Sequence, residues 1–213
     1  MIPVTPVGPP AGFSQKVVAR AKQWSEDQGL DWQAPPPKRA AKDLPDLWRN
    51  CLDDLHDSYG GICAYLSVYF HRATQSTSVD HYVPKSKAPI AQAYAWENYR
   101  LASRPMNTNK GESQVVLDPF KIPPTLFQLN LLNGRVEINT AVAKIRDPLH
   151  QQAQATIRRL KLNAGPFRSL RLQYITEYVE ARQLGTQQAI EQAQKRLKFQ
   201  SPFIYQEILR QGW

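Results

Sequence analysis

The chain has 213 residues, 42% hydrophobic and 21% charged, a globular balance that rules out wholesale disorder. Its 27 lysines and arginines outweigh 18 acids for a net charge of +9, and the excess sits late: residues 1–60 are net −1, 61–141 net +3 and 142–213 net +7. No apolar run approaches the roughly 20 residues of a bilayer span, no secretory leader is visible, and two cysteines, Cys51 and Cys63, exclude a disulfide scaffold, so a reduced, cytoplasmic protein with no membrane partner is expected.

Residues 1–13 hold four prolines and two glycines and are expected to form an extended arm. Ser14 is placed to cap a helix to about Gln28, where Gly29 stops it. After Pro35-Pro36-Pro37, a stiff spacer, Asp43 or Asp46 opens a second helix to about Tyr59. Leu47, Trp48, Cys51, Leu52 and Leu55 form its apolar stripe, and Gly60-Gly61 ends it. ICAYLSVYF, from Ile62, is β-branched and aromatic, which allows a strand, with helix a live competitor for its second half. SVDHYV and YRLA are short strands, separated by a loop with one helical turn, and RPMNTNKGES starts a helix with Pro105 in its first turn. TLFQLNL and RVEIN flank Leu132-Asn133-Gly134, a strong hairpin signal. The remainder predicts four helices: Asp147-Pro148 to about Leu162, Pro166 to about Leu184, Thr186 to about Phe199, and Ser201-Pro202 onward.

Chemistry concentrates between Ser78 and Glu112. Asp80 and His81 are neighbours on a short strand, so their side chains diverge, one toward a cation and the other toward a water or substrate. Asn107 and Lys110 are three apart and share a helix face. Asn98, just before the second strand, is placed to brace a loop. Carboxylate and amide oxygens are hard ligands that suit Mg²⁺ or Mn²⁺. A neutral histidine beside such an ion is a natural general base, and in a basic protein the pair points to phosphodiester hydrolysis.

VDHYVPKS, WENYRLA and MNTNKGE, in that order and spacing, resemble the ββα-metal finger of HNH endonucleases. LDPF and the Asn-Gly hairpin that follow are similar to those of small bacterial HNH proteins, some tied to phage defence. The resemblance implies an α+β, mostly α-helical fold: a central HNH finger with a hairpin over 61–141, a proline-rich arm and helices over 1–60, and a basic helical region over 142–213. It implies His81 as general base, Asn98 as the residue that orients it, and Asp80 and Asn107 as ligands of one Mg²⁺ or Mn²⁺ ion. It implies DNA as substrate, cut to 5′-phosphate and 3′-hydroxyl ends, and a protein partner such as the ATPase of a defence system. Lys110 is a candidate phosphate contact. Lys85, Lys87 and Arg100 are either a phosphate-contacting rim or plain solvated charges.

Many relatives frame the finger with two zinc knuckles. Here Cys63 stands at the first, but its partner position is Leu66, and the second pair is Ser103 and Met106, so no structural zinc is expected. Two functional readings stand from the sequence: a metal-dependent HNH nuclease, and a non-catalytic nucleic-acid-binding or partner-docking module on the same scaffold.

Overall fold

A computed structural model describes residues 1–74 and 76–213. The fold is mixed α+β and mostly helical, with two separate two-stranded antiparallel sheets. The chain divides into two compact, interleaved units: Thr5–Gly61 with His71–Gln114, and Met1–Val4 with Ile62–Phe70 and Val115–Trp213. This differs from a division into consecutive segments, because the hairpin belongs with the C-terminal helices.

In the first unit, the helix expected after Ser14 begins as a wide π-helical stretch, Ser14–Ala19, and continues as α1 (Arg20–Asp27). Gly29, at φ +63°, ends it as the sequence suggests. A 3₁₀ segment, Leu47–Cys51, leads into α2 (Leu52–Ser58). The proline-rich arm has no helix, yet it is tied down: Val7 N–H donates to the Tyr59 hydroxyl, and Val7 C=O accepts from the Trp96 indole at 2.7 Å. Strands β1 (Thr77–His81) and β2 (Tyr99–Ser103) pair antiparallel, with Asp80 opposite Arg100 and His81 opposite Tyr99. Between them lie the short α3 (Ile90–Ala93) and a 3₁₀ turn, Trp96–Asn98. Helix α4 (Arg104–Lys110) follows β2 directly, with Pro105 in its first turn and Gly111, at φ +51°, at its end. The core joins Val17, Leu55, Tyr94, Tyr99, Leu101 and Met106, all essentially inaccessible to solvent. Phe13 meets Trp96 and Tyr99 edge-on at 5.3 and 6.0 Å, the geometry aromatic quadrupoles prefer.

In the second unit, β3 (Phe127–Asn130) and β4 (Arg135–Ile138) form the expected hairpin, turned at Asn133-Gly134. Side chains occupy its backbone groups: Glu207 Oε2 accepts from Leu129 N–H, Gln211 donates to Leu129 C=O, and the Asn163 amide bonds both N–H and C=O of Val136. A two-stranded ribbon alone is marginal, and these bonds make it part of the helical layer. Helices α5 (Pro148–Leu160), α6 (Gly165–Gln183), α7 (Gln187–Gln200) and α8 (Pro202–Gln211) match the predicted four. Thr186 caps α7 by accepting from Ala189 N–H. The segment from Ile62 corrects the strand expectation: Ser67, at φ +56°, turns it back on itself, leaving one bridge between Ile62 and Tyr69. Burial needs the same apolar residues either way, so composition did not distinguish a strand from a buried turn. Among the described residues, no helix is long and apolar enough to cross a membrane.

Candidate functional site

Alternation along β1 sends Ser78 and Asp80 to one face and His81 to the other. Helix α4 covers the first of these. Its Lys110 Nζ donates to Asp80 Oδ1 at 2.9 Å and to the His81 carbonyl at 3.0 Å, and Asn107 Nδ2 donates to Ser78 Oγ at 2.5 Å and to Val79 C=O at 3.1 Å. The i, i+3 spacing of Asn107 and Lys110 therefore fastens α4 along β1. On the other face the His81 ring lies edge-on to Trp48 at 4.7 Å and to Tyr99 at 5.2 Å. Lys85 Nζ lies 4.5 Å from the centroid of the Trp48 ring.

Asn98 is buried and holds the chain after β1 at two points. Its Oδ1 accepts from Val83 N–H at 2.8 Å, its Nδ2 donates to Val83 C=O at 3.0 Å, and its own carbonyl accepts from Tyr82 N–H. It does not touch His81 by any of these bonds. It acts on the backbone immediately after the histidine.

The surroundings set the protonation of His81. Burial chiefly, then the positive charges of Lys85 and Lys110, lower its pKa from 6.5 to about 3, against a smaller opposing effect from the Ala93 backbone. The imidazole is thus neutral at pH 7, and in these surroundings it is a weaker base than a solvated histidine. Its Nε2 is buried without a hydrogen-bond partner among the described residues.

Asp80, His81 and Asn107 all line one open cavity of about 630 Å³, with Trp48, Arg49, Lys85, Arg104 and Glu112 among its other walls. No protein-family profile, curated protein or solved structure matches this chain.

Two of the expected phosphate contacts are corrected by burial. Lys110 is completely inaccessible and neutralises Asp80. Arg100 is 3% exposed and donates to the carbonyls of Glu97 and Tyr99, fixing the turn into β2. Lys85 does line the cavity, whereas Lys87 is exposed and donates to the Glu112 carbonyl. The cavity also gains residues the sequence reading left out: Arg49 and Arg104, and Trp48, read only as part of an apolar stripe. No local pattern ties positions 48–49 to His81, more than 30 residues later; the packing of the Leu47–Ser58 segment on β1 does.

A hard divalent cation fits the donor set. Asp80 offers a carboxylate, and the Asn107 amide donates to Ser78 and Val79 through Nδ2, which leaves its Oδ1 as an acceptor. The ammonium of Lys110 on Asp80 is itself a cation on that carboxylate. Among the described residues no cluster of three or more His, Cys, Asp or Glu side chains could hold a metal ion. At the zinc-knuckle positions Cys63, Leu66, Ser103 and Met106 are all buried, and both cysteines of the chain are free thiols.

Proposed function

We propose that the β1–β2–α4 unit is an HNH-type ββα-metal finger and that the protein is a metal-dependent endonuclease hydrolysing phosphodiester bonds in DNA. The observation that carries this reading is that Asp80 and His81, at the end of one strand of a two-stranded sheet, and Asn107, on the helix that follows the sheet, all line one cavity. His81 is the base: neutral at pH 7, it takes the proton of the attacking water. Burial is the larger cause of the low basicity of His81, and a bound phosphodiester beside Lys85 offsets that lysine's part of it when the substrate is in place. Asn98 is a positioning residue that keeps the Tyr82-Val83 backbone, and with it His81, from shifting.

Asp80 and Asn107 would hold a single Mg²⁺ or Mn²⁺, which supplies charge stabilisation for the phosphoryl group and the leaving 3′ oxygen. Lys110 sets the charge and orientation of Asp80 from behind. DNA is the expected partner, with a defence-system ATPase as a protein partner suggested by the resemblance alone.

The Lys110–Asp80 pair also favours a second reading. A carboxylate already neutralised by lysine needs no metal, as in a non-catalytic nucleic-acid-binding module on the same scaffold. Supercoiled plasmid incubated with the purified protein separates the two. The nuclease reading predicts nicked product with Mg²⁺ or Mn²⁺, none with EDTA, and 5′-phosphate ends that a ligase reseals. Plasmid that stays supercoiled with either ion while still binding the protein supports the module instead.

A further inference from the structure

The cations expected to meet phosphate are mostly engaged elsewhere: Lys110 and Arg100 are buried, Lys85 lies over Trp48, and Lys87 holds the Glu112 carbonyl. Two arginines on the same cavity remain. Arg49 is 73% exposed and paired with Asp46 at 2.8 Å, an exposed i, i+3 ion pair of the kind worth little and readily exchanged. Arg104 is exposed, and its guanidinium has no ion pair or hydrogen bond among the described residues. Arg104 also lines a second open cavity of about 640 Å³, so its side chain borders both. Thr74, Ser76, Thr108 and Asn109 line that second cavity, and none of the described residues lining it is acidic. Hydroxyls, an amide and an arginine without a carboxylate suit a sugar–phosphate strand, which is held by such groups irrespective of sequence.

We propose that Arg49 and Arg104 are the phosphate-binding residues of the catalytic cavity, and that Arg104 leads the nucleic-acid strand out of it into the adjoining Thr74–Thr108 cavity. This rests on the nuclease reading above and assigns the contacts flanking the cleaved phosphate. The arginines suit the task better than lysines, because a planar guanidinium grips a phosphate through two parallel bonds.

The test is binding of a short labelled duplex by the full chain carrying His81→Ala, in EDTA, followed by fluorescence anisotropy between about 50 and 200 mM salt. Removing one phosphate contact lowers the slope of log K against log salt by about 0.9. Arg49→Ala and Arg104→Ala are each expected to do so and to weaken binding about tenfold at the low-salt end. Thr108→Glu, which puts a carboxylate into the second cavity, is expected to weaken binding as well, and Lys22→Ala, an equal loss of charge outside both cavities, to change nothing. A parent that binds duplex while both arginine variants keep its slope overturns the assignment and leaves the nuclease reading intact. A Thr108→Glu variant with parental affinity overturns the path into the second cavity. A parent that binds no duplex at any salt, together with a wild-type chain that cuts none, sinks the nuclease reading and this inference with it.

Discussion

Lys110 is the residue whose surroundings depart furthest from its expected role. Its ammonium and the Asp80 carboxylate are both out of water and balance one another. Removing one partner of such a pair leaves a buried charge uncompensated, at a cost of about 3–5 kcal/mol. Lys110→Met is therefore expected to destabilise the chain by that order in urea denaturation, and Asp80→Asn added to it to recover most of the loss. Equal stability of Lys110→Met and wild type would contradict the pairing. His81 gives a pH signature. Its folded pKa, about 3, lies below the ordinary 6.5, so the unfolded chain binds the proton first as pH falls. The contribution of its neutral ring to stability is complete above pH 6.5 and is lost progressively down to about 3. Urea midpoints at several pH values, for wild type and His81→Gln, isolate this from the carboxylates: the wild type should lose more between those limits. Identical pH dependence of the two would place His81 in water. Spacing in the sequence put Asn107 and Lys110 on one helix face, but a spacing carries no depth. Whether a lysine on that face meets solvent or a buried carboxylate depends on what packs over it.

At the scale of elements, local signals were strong. Pro105 and Gly111 bracket α4, Asn133-Gly134 turns the hairpin, and Thr186 caps α7, each for a backbone reason written within a few residues. Asn98 was legible as a brace because it stands directly before β2, and its two bonds to Val83 give that role its geometry. Asn98→Ala leaves the part-buried Val83 N–H and C=O without these partners and should cost about 1 kcal/mol, with cleavage slowed as the backbone after His81 loosens. Retained wild-type stability and rate would remove it from the site. Elements that depend on distant partners were not legible. The hairpin's attachment runs through Glu207, Gln211 and Asn163, between 27 and 82 positions from their partners. Gly134 reports on that packing. It sits at φ +68°, and a Cβ there would lie 3.0 Å from the Arg168 carbonyl and 3.1 Å from Leu172. Gly134→Ala should lower stability by more than about 1 kcal/mol, read as a drop in the urea midpoint.

Over the whole molecule, charge and chemistry are unevenly distributed. The candidate site is built from residues 48–112, whereas the net charge of +7 belongs to residues 142–213. Arg171 is interior and donates to the carbonyls of Gly134 and Leu162, so it cannot meet a phosphate directly, while Arg158, Arg159 and Lys161 are exposed at the end of α5. Reversing those three charges should weaken duplex binding and flatten its salt dependence. An unchanged slope would mark them as an ordinary solvated helix end.

The nuclease reading stands or falls with His81 as the base in phosphodiester cleavage. Single-turnover nicking of supercoiled plasmid by His81→Ala, beside wild type in Mg²⁺ or Mn²⁺ and with DNA affinity measured in parallel, tests it most directly. Loss of a general base predicts a fall in rate of about 10²–10⁴ with affinity retained. Nicking by His81→Ala at the wild-type rate would contradict it.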